Sequence, residues 1–111
     1  MEKYIHENHW DWGLGVNIML ANGAATVHIS LEDEDPGVAY INGLSVVSEY
    51  RKKGLATQLM REAEDYCKNH NIFRIDLTSV PEEFVRNFYH KLGFVDIKET
   101  DGYMKMYKML K

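Results

Sequence analysis

Arg51, Lys52 and Lys53 stand side by side directly before Gly54, and an apolar-periodic run begins at Leu55. That grouping suits a phosphate. The first amides of a helix have no internal partners and together carry about half a positive charge. A glycine at that point lets an anion approach the backbone. A solvated basic turn that merely precedes a helix uses the same residue types, and the stretch alone does not separate the two. It is not a P-loop, since no G-x-x-x-x-G-K-[ST] is present. Nor is Gly13–Leu14–Gly15 a dinucleotide fingerprint, because Ile18 stands at the third glycine position.

Other residues with chemical potential are more scattered. His6 and His9 form a histidine pair that reads as exposed residues of the N-terminal stretch, and no metal is expected. Cys67 falls on the apolar face of the run from Leu55, as a small core residue and not a nucleophile. Being the one cysteine, it also excludes an internal disulfide and fits a reducing compartment.

The elements that must position these groups can be read from periodicity. After an irregular start, "WGLGVNIML" is β-compatible and ends at Asn22–Gly23, a strong hairpin signal. "AATVHISL" alternates, with Val27, Ile29 and Leu31 on one face and Thr26, His28 and Ser30 on the other. "VAYINGLSVV" is a third strand of the same antiparallel meander. Gly43 within it predicts a bulge or a close backbone approach. Leu55, Leu59, Ala63 and Cys67 recur at i+4, which predicts an amphipathic helix ending near "KNHN". "IFRIDLTS" is a strand. A second helix opens at Pro81–Glu83 and stops at Gly93, and "FVDIKETDGYMKMYKML" folds as two strands around "TDG". The expected order is β-β-β-α-β-α-β-β, an α/β (α+β layered) domain with a mixed sheet.

Length and charge narrow the function class. A chain of 111 residues is expected to form one domain, 1–111. With 13 Lys/Arg against 17 Asp/Glu its net charge is −4, so a nucleic-acid partner is not expected. No apolar run approaches the ~18 residues that span a bilayer, and the N-terminus shows no signal-peptide h-region. A cytoplasmic location is expected, without membrane partners.

Two blocks carry a family resemblance. "LSVVSEYRKKGLATQLM" is similar to the acetyl-CoA motif of the GNAT superfamily of N-acetyltransferases: its [QR]-x-x-G-x-[GA] core is met by Arg51, Gly54 and Ala56, and the preceding L-x-V by Leu44 and Val46. "FVRNFYHKLGF" resembles the family's A-x-x-F-Y-x-x-L-G-F, through Phe88, Tyr89, Leu92, Gly93 and Phe94. The resemblance covers roughly residues 38 to 111. It implies acetyl-CoA as co-substrate, its pyrophosphate held by the backbone from Arg51, Lys52 and Lys53 through Gly54, Leu55, Ala56 and Thr57. It implies that Leu44, Ser45 and Val46 run beside the pantetheine arm, and that the Gly43 bulge splays their strand from "RIDLTS". Tyr89 takes the position of the family's general acid.

The resemblance implies an N-acetyltransferase acting on a primary amine, of a small molecule, peptide or protein, by direct attack. A lysine-like amine of pKa about 10.4 costs about 4–5 kcal/mol to deprotonate at pH 7, so a proton acceptor or water chain is expected. The third strand holds no carboxylate; Glu32, Glu34, Asp35 and His28 are the nearby alternatives, each also readable as a solvated surface group. Relatives usually have a strand and two helices before the meander, the helices roofing the acceptor pocket; here only about a dozen residues precede "WGLGV", and those helices read as reduced or absent. The acceptor side is then open, completed by a second subunit, as in a homodimer, or suited to an exposed amine on a peptide or protein. A non-catalytic acyl-CoA sensor or scaffold is the alternative reading. Glu82 replaces an asparagine common in the family seven residues before the tyrosine, and Val85 replaces a common alanine.

Overall fold

Turn chemistry and strand alternation account for most of the sheet. A computed structural model describes residues 2–51 and 54–110. Lys52 and Lys53 of the basic cluster lie outside the described residues. The elements are β1 (Lys3–Trp10), β2 (Gly13–Leu20), β3 (Ala25–Glu32), β4 (Val38–Val46), α1 (Leu55–Asn69), β5 (Arg74–Ser79), α2 (Glu83–Lys91), β6 (Val95–Thr100) and β7 (Tyr103–Met109). One mixed sheet runs in the order β1-β2-β3-β4-β5-β7-β6, and among the described residues its one parallel pair is β4 with β5. The expected meander is β2-β3-β4. Its first turn holds Asn22 and Gly23 at φ 57° and 91°. The β6–β7 turn holds Asp101 and Gly102 at 52° and 85°, as a two-residue hairpin loop requires.

The N-terminal stretch differs from its reading as irregular: it is β1, paired with β2 over the whole length from Lys3–Leu20 to Trp10–Gly13. Seven of its eight residues are exposed, so it carries no core alternation that periodicity could detect. The ladder of β2 creates it. Two long-range contacts tie it to α1: Lys3 Nζ lies 2.6 Å from Glu62 Oε1, and the Tyr66 hydroxyl donates to Glu7.

Packing places both helices on one face. The connections β4-α1-β5 and β5-α2-β6 advance in the same direction along the sheet, and right-handed crossovers then put α1 and α2 on the same side. α1 buries Leu55, Leu59, Met60, Ala63, Tyr66 and Cys67. Opposite them lie Val16, Ile18 and Leu20 of β2 and Ala25, Val27 and Ile29 of β3. The other face, which carries Asn17, His28, Ser30 and Tyr40, has no helix among the described residues.

Leu59 is fully buried at the centre of this helix–sheet contact. Leu59→Ala leaves a cavity there and is expected to lower unfolding free energy by about 2–5 kcal/mol in urea titration. A change below about 1 kcal/mol would mean that α1 does not pack as described.

Candidate active site

Strand β4 contains the predicted bulge. His28 faces Gly43 and Ile29 faces Ile41, so Asn42 is the extra residue. A Cβ at Gly43 would meet only the His28 ring, at 3.5 Å, an ordinary contact. Packing inside the protein therefore does not require glycine there. Beyond the bulge the sheet opens. The β4–β5 pairing starts at Val38–Arg74 and stops at Ile41–Leu77, although β4 continues to Val46 and β5 to Ser79. The resulting wedge is a cleft of about 330 Å³, with Asn42, Gly43 and Leu44 on one wall and Thr78 and Ser79 on the other.

A larger cleft of about 510 Å³ adjoins the wedge, since Leu44, Val85 and Tyr89 line both. Leu44, Ser45 and Val46 form one side, and Phe84, Val85, Phe88 and Tyr89 of α2 form another; Arg51 and Ala56 complete it. The Val47 N–H donates to Ala24 O on the β3 side at 2.9 Å. Successive residues of a strand direct their backbone groups to alternate edges, so Leu44 and Val46 direct theirs to the open edge. There Arg51 Nε donates to Val46 O at 3.1 Å. That contact anchors Arg51 to the strand end.

The N-terminus of α1 faces the same region. Gly54 is its N-cap in the left-handed conformation, φ 76° and ψ 8°, and supplies no capping side chain. Apart from its chain neighbours, no described residue lies within 4 Å of where its Cβ would stand. The amides of Leu55, Ala56 and Thr57 belong to the first turn, whose N–H groups have no intrahelical acceptor. The first turn of α1 also lacks an acidic residue, whereas α2 carries Glu83 in its own. Uncapped amides, a bare glycine and no carboxylate suit an anion.

A Schellman motif positions Tyr89. At the end of α2 the Phe94 N–H donates to Tyr89 O at 3.1 Å, and the Gly93 N–H to His90 O at 3.0 Å. Gly93 takes φ 96°, as that cap needs. The Phe94 ring packs edge-on against Tyr89, centroids 5.8 Å apart, and Phe88 flanks it at 5.2 Å. Burial pushes the Tyr89 phenol above its ordinary value, so it stays a neutral O–H donor at physiological pH. Among the described residues its hydroxyl makes no hydrogen bond, and it lines both clefts.

The remaining candidates separate clearly. The Tyr40 hydroxyl donates to Asp35, and that bond pushes the phenol up to about 12. Glu32 and Glu34 are exposed in and beside the β3–β4 turn. Of the four proton-acceptor alternatives only His28 stands opposite the bulge. His6 and His9 are three apart on a strand, on opposite faces, and cannot converge on one ion. Cys67 is buried, and desolvation pushes its thiol up to about 12. Glu82 lines neither cleft. Phe84, 74% exposed at the mouth of the larger cleft, went unremarked in sequence; only its place one turn before Phe88 pointed to it.

Comparison with known proteins fits this geometry. The profile of the Acetyltransferase (GNAT) family matches residues 5–94. N-alpha-acetyltransferase 30 of Schizosaccharomyces pombe is 40% identical over 65 residues, which is 58% of this chain and 43% of that protein. The chain thus spans less than half of that relative. Among solved structures, the IAA acetyltransferase from Bacillus cereus superposes with a TM-score of 0.75 at 12% identity, covering 98% of this chain and 100% of that one. The PaiA N-acetyltransferase from Thermoplasma acidophilum, crystallised with coenzyme A, gives 0.72 at 22% identity, covering 87% of this chain and 59% of that one. At those identities the likeness is one of fold. With the profile spanning most of its length, the chain belongs to the GNAT family of acetyltransferases.

Proposed function

We propose that this protein transfers an acetyl group from acetyl-CoA to a primary amine by direct attack within a ternary complex. The observation that carries the reading is the continuity of three features. The bare N-terminus of α1, the open edge of β4 at Leu44 and Val46, and the Tyr89 hydroxyl all border one connected cleft or its rim. The residues present fit the cofactor: the amides of Leu55 to Thr57 suit a pyrophosphate, and the outward backbone groups of Leu44 and Val46 suit an amide-containing arm. Acetyl-CoA supplies the activated thioester; the chain binds, orients and moves protons.

The amine nitrogen bonds to the acetyl carbon as the carbon–sulfur bond breaks. The Val46 N–H, on the open edge, is placed to polarise the acetyl oxygen. Tyr89 gives its phenolic proton to the departing sulfur, and the proton lost by the amine passes to His28 or to water. An α-amino group, with pKa about 7.7–8.0, costs only about 1–1.4 kcal/mol to deprotonate at pH 7. A site without a carboxylate on β4 suits such an amine better than a lysine side chain. The name of the fission-yeast relative, N-alpha-acetyltransferase 30, points the same way.

Two substitutions test the parts separately. Tyr89→Phe is expected to lower kcat by about 10²–10⁴-fold while leaving the Kd for acetyl-CoA unchanged by calorimetry; unchanged turnover would remove Tyr89 from the chemistry, whereas acetyl-CoA binding with no turnover in the unaltered protein would favour an acyl-CoA-binding sensor. Because burial raises the Tyr89 pKa from 10.0, the phenol keeps its proton through pH 10. Loss of activity from its ionisation is therefore expected only above that pH.

Gly54→Val places a β-branched side chain at φ 76°, a strain of about 1–2 kcal/mol, and fills the space an anion would take. Acetyl-CoA affinity is expected to fall by about tenfold or more, read by calorimetry and by loss of the ligand-induced rise in melting temperature. Undiminished affinity would rule out the α1 terminus as the phosphate site.

A further inference from the structure

A second cleft lies on the helix-free face of the sheet, of about 440 Å³. The β1–β2 turn brings Trp10 and Trp12 over Gly15. A Cβ on Gly15 would lie 3.2 Å from the Trp10 indole nitrogen and 3.9 Å from the far edge of the Trp12 ring. Glycine there therefore lets the indoles lie against the sheet. Asn17, His28 and Asn42 continue the lining toward the β4 bulge. Asn42 is shared: it lines this cleft and also the β4–β5 wedge. The cleft thus ends at the place where the wedge brings the proposed thioester.

Its composition is selective. The chain holds 30 charged residues of the Asp, Glu, Lys and Arg types, yet none of the described ones lines this cleft. Its polar groups are amides, a serine hydroxyl, an imidazole and indoles. An acceptor bearing a carboxylate or phosphate finds no Lys or Arg counter-charge among the described lining residues. An uncharged aromatic or apolar body finds two indole surfaces, 56% and 45% exposed, on which to stack. A weakly basic amine attached to that body is also tolerated by indole faces, which attract cations.

We infer that this Trp10–Trp12 cleft is the acceptor site, and that it selects amines whose body is uncharged and aromatic. The body lies on the indoles over Gly15, and the amine points past Asn42 and His28 into the wedge. The inference rests on the transferase reading above, but the binding titration that tests it does not depend on turnover.

Trp10 and Trp12 are the chain's two tryptophans, so indole emission reports occupancy of this cleft directly. Titrating the full chain with phenylalaninamide is expected to give a saturable blue shift, because exposed indoles become covered. Alaninamide and aspartic acid α-amide, which share the α-amine, are expected to bind at least tenfold more weakly. Trp10→Ala, Trp12→Ala and Gly15→Val are each expected to raise KM for phenylalaninamide at least tenfold, with the Kd for acetyl-CoA unchanged. Both indoles are solvent-exposed, and the wild-type titration needs no variant to fold.

If phenylalaninamide leaves the emission unchanged, or if alaninamide shifts it equally well, the inference is overturned. It is also overturned if the protein acetylates phenylalaninamide and the three variants do so with wild-type KM. A selective shift with no acetylation of any amine would keep the aromatic-amine cleft and remove the transferase reading instead.

Discussion

Everything at the candidate site depends on where β4 and β5 stop being hydrogen-bonded to each other. A parallel pair inside a sheet normally satisfies its backbone along the whole shared length, because an unpaired buried N–H or C=O is costly. Here the pairing ends after four residue pairs, at Ile41–Leu77. Asn42 bulges on the β3 side at the same level. The bulge bends β4 and increases its local twist, so its last residues swing away from β5. Leu44 and Val46 are left with backbone groups directed at an open edge. An open edge in the middle of a sheet stays accessible only if nothing else fills it, and α2 stands off at the width of a cleft.

The stand-off is controlled from the end of α2. The Schellman cap turns the chain so that Phe94 packs back against Tyr89, one turn from the helix end. That contact explains the spacing of tyrosine, glycine and phenylalanine as a folding requirement before it is a catalytic one: glycine supplies the left-handed residue, and phenylalanine closes the cap. The same ring contacts bury the phenol and keep it protonated. Tyr89 is thus fixed and neutral by the device that terminates its helix.

The two ends of α1 and α2 contrast in a way that charge alone does not convey. α2 begins with Glu83, which favours its own macrodipole. α1 begins with a bare glycine and no acid, and so leaves its field unsatisfied. Arg51, three residues before Gly54, is turned back onto the Val46 carbonyl and braces the loop against β4. The site therefore relies on backbone geometry more than on formal charge, which suits a chain whose net charge is −4.

Local rules determined much of this from sequence: the meander, the Asn22–Gly23 and Asp101–Gly102 turns, both helices and the stop at Gly93. Each rests on residues within a few positions of one another, and φ preference or a 2.0 or 3.6 period is a local property. The bulge, expected at Gly43 and found at its neighbour Asn42, and the helix start after Gly54 were legible for the same reason. Strand β1 was not, because an exposed edge strand has no buried face to print a period on its sequence. Its existence follows from a ladder supplied by β2. Tertiary structure also decided which of His28, Glu32, Glu34 and Asp35 borders the bulge, since strand register and not sequence distance sets that neighbourhood. And it alone brought Trp10 and Trp12 over Gly15, next to a residue of β4 some thirty positions away, because only the stacking of four antiparallel strands makes those side chains share one face.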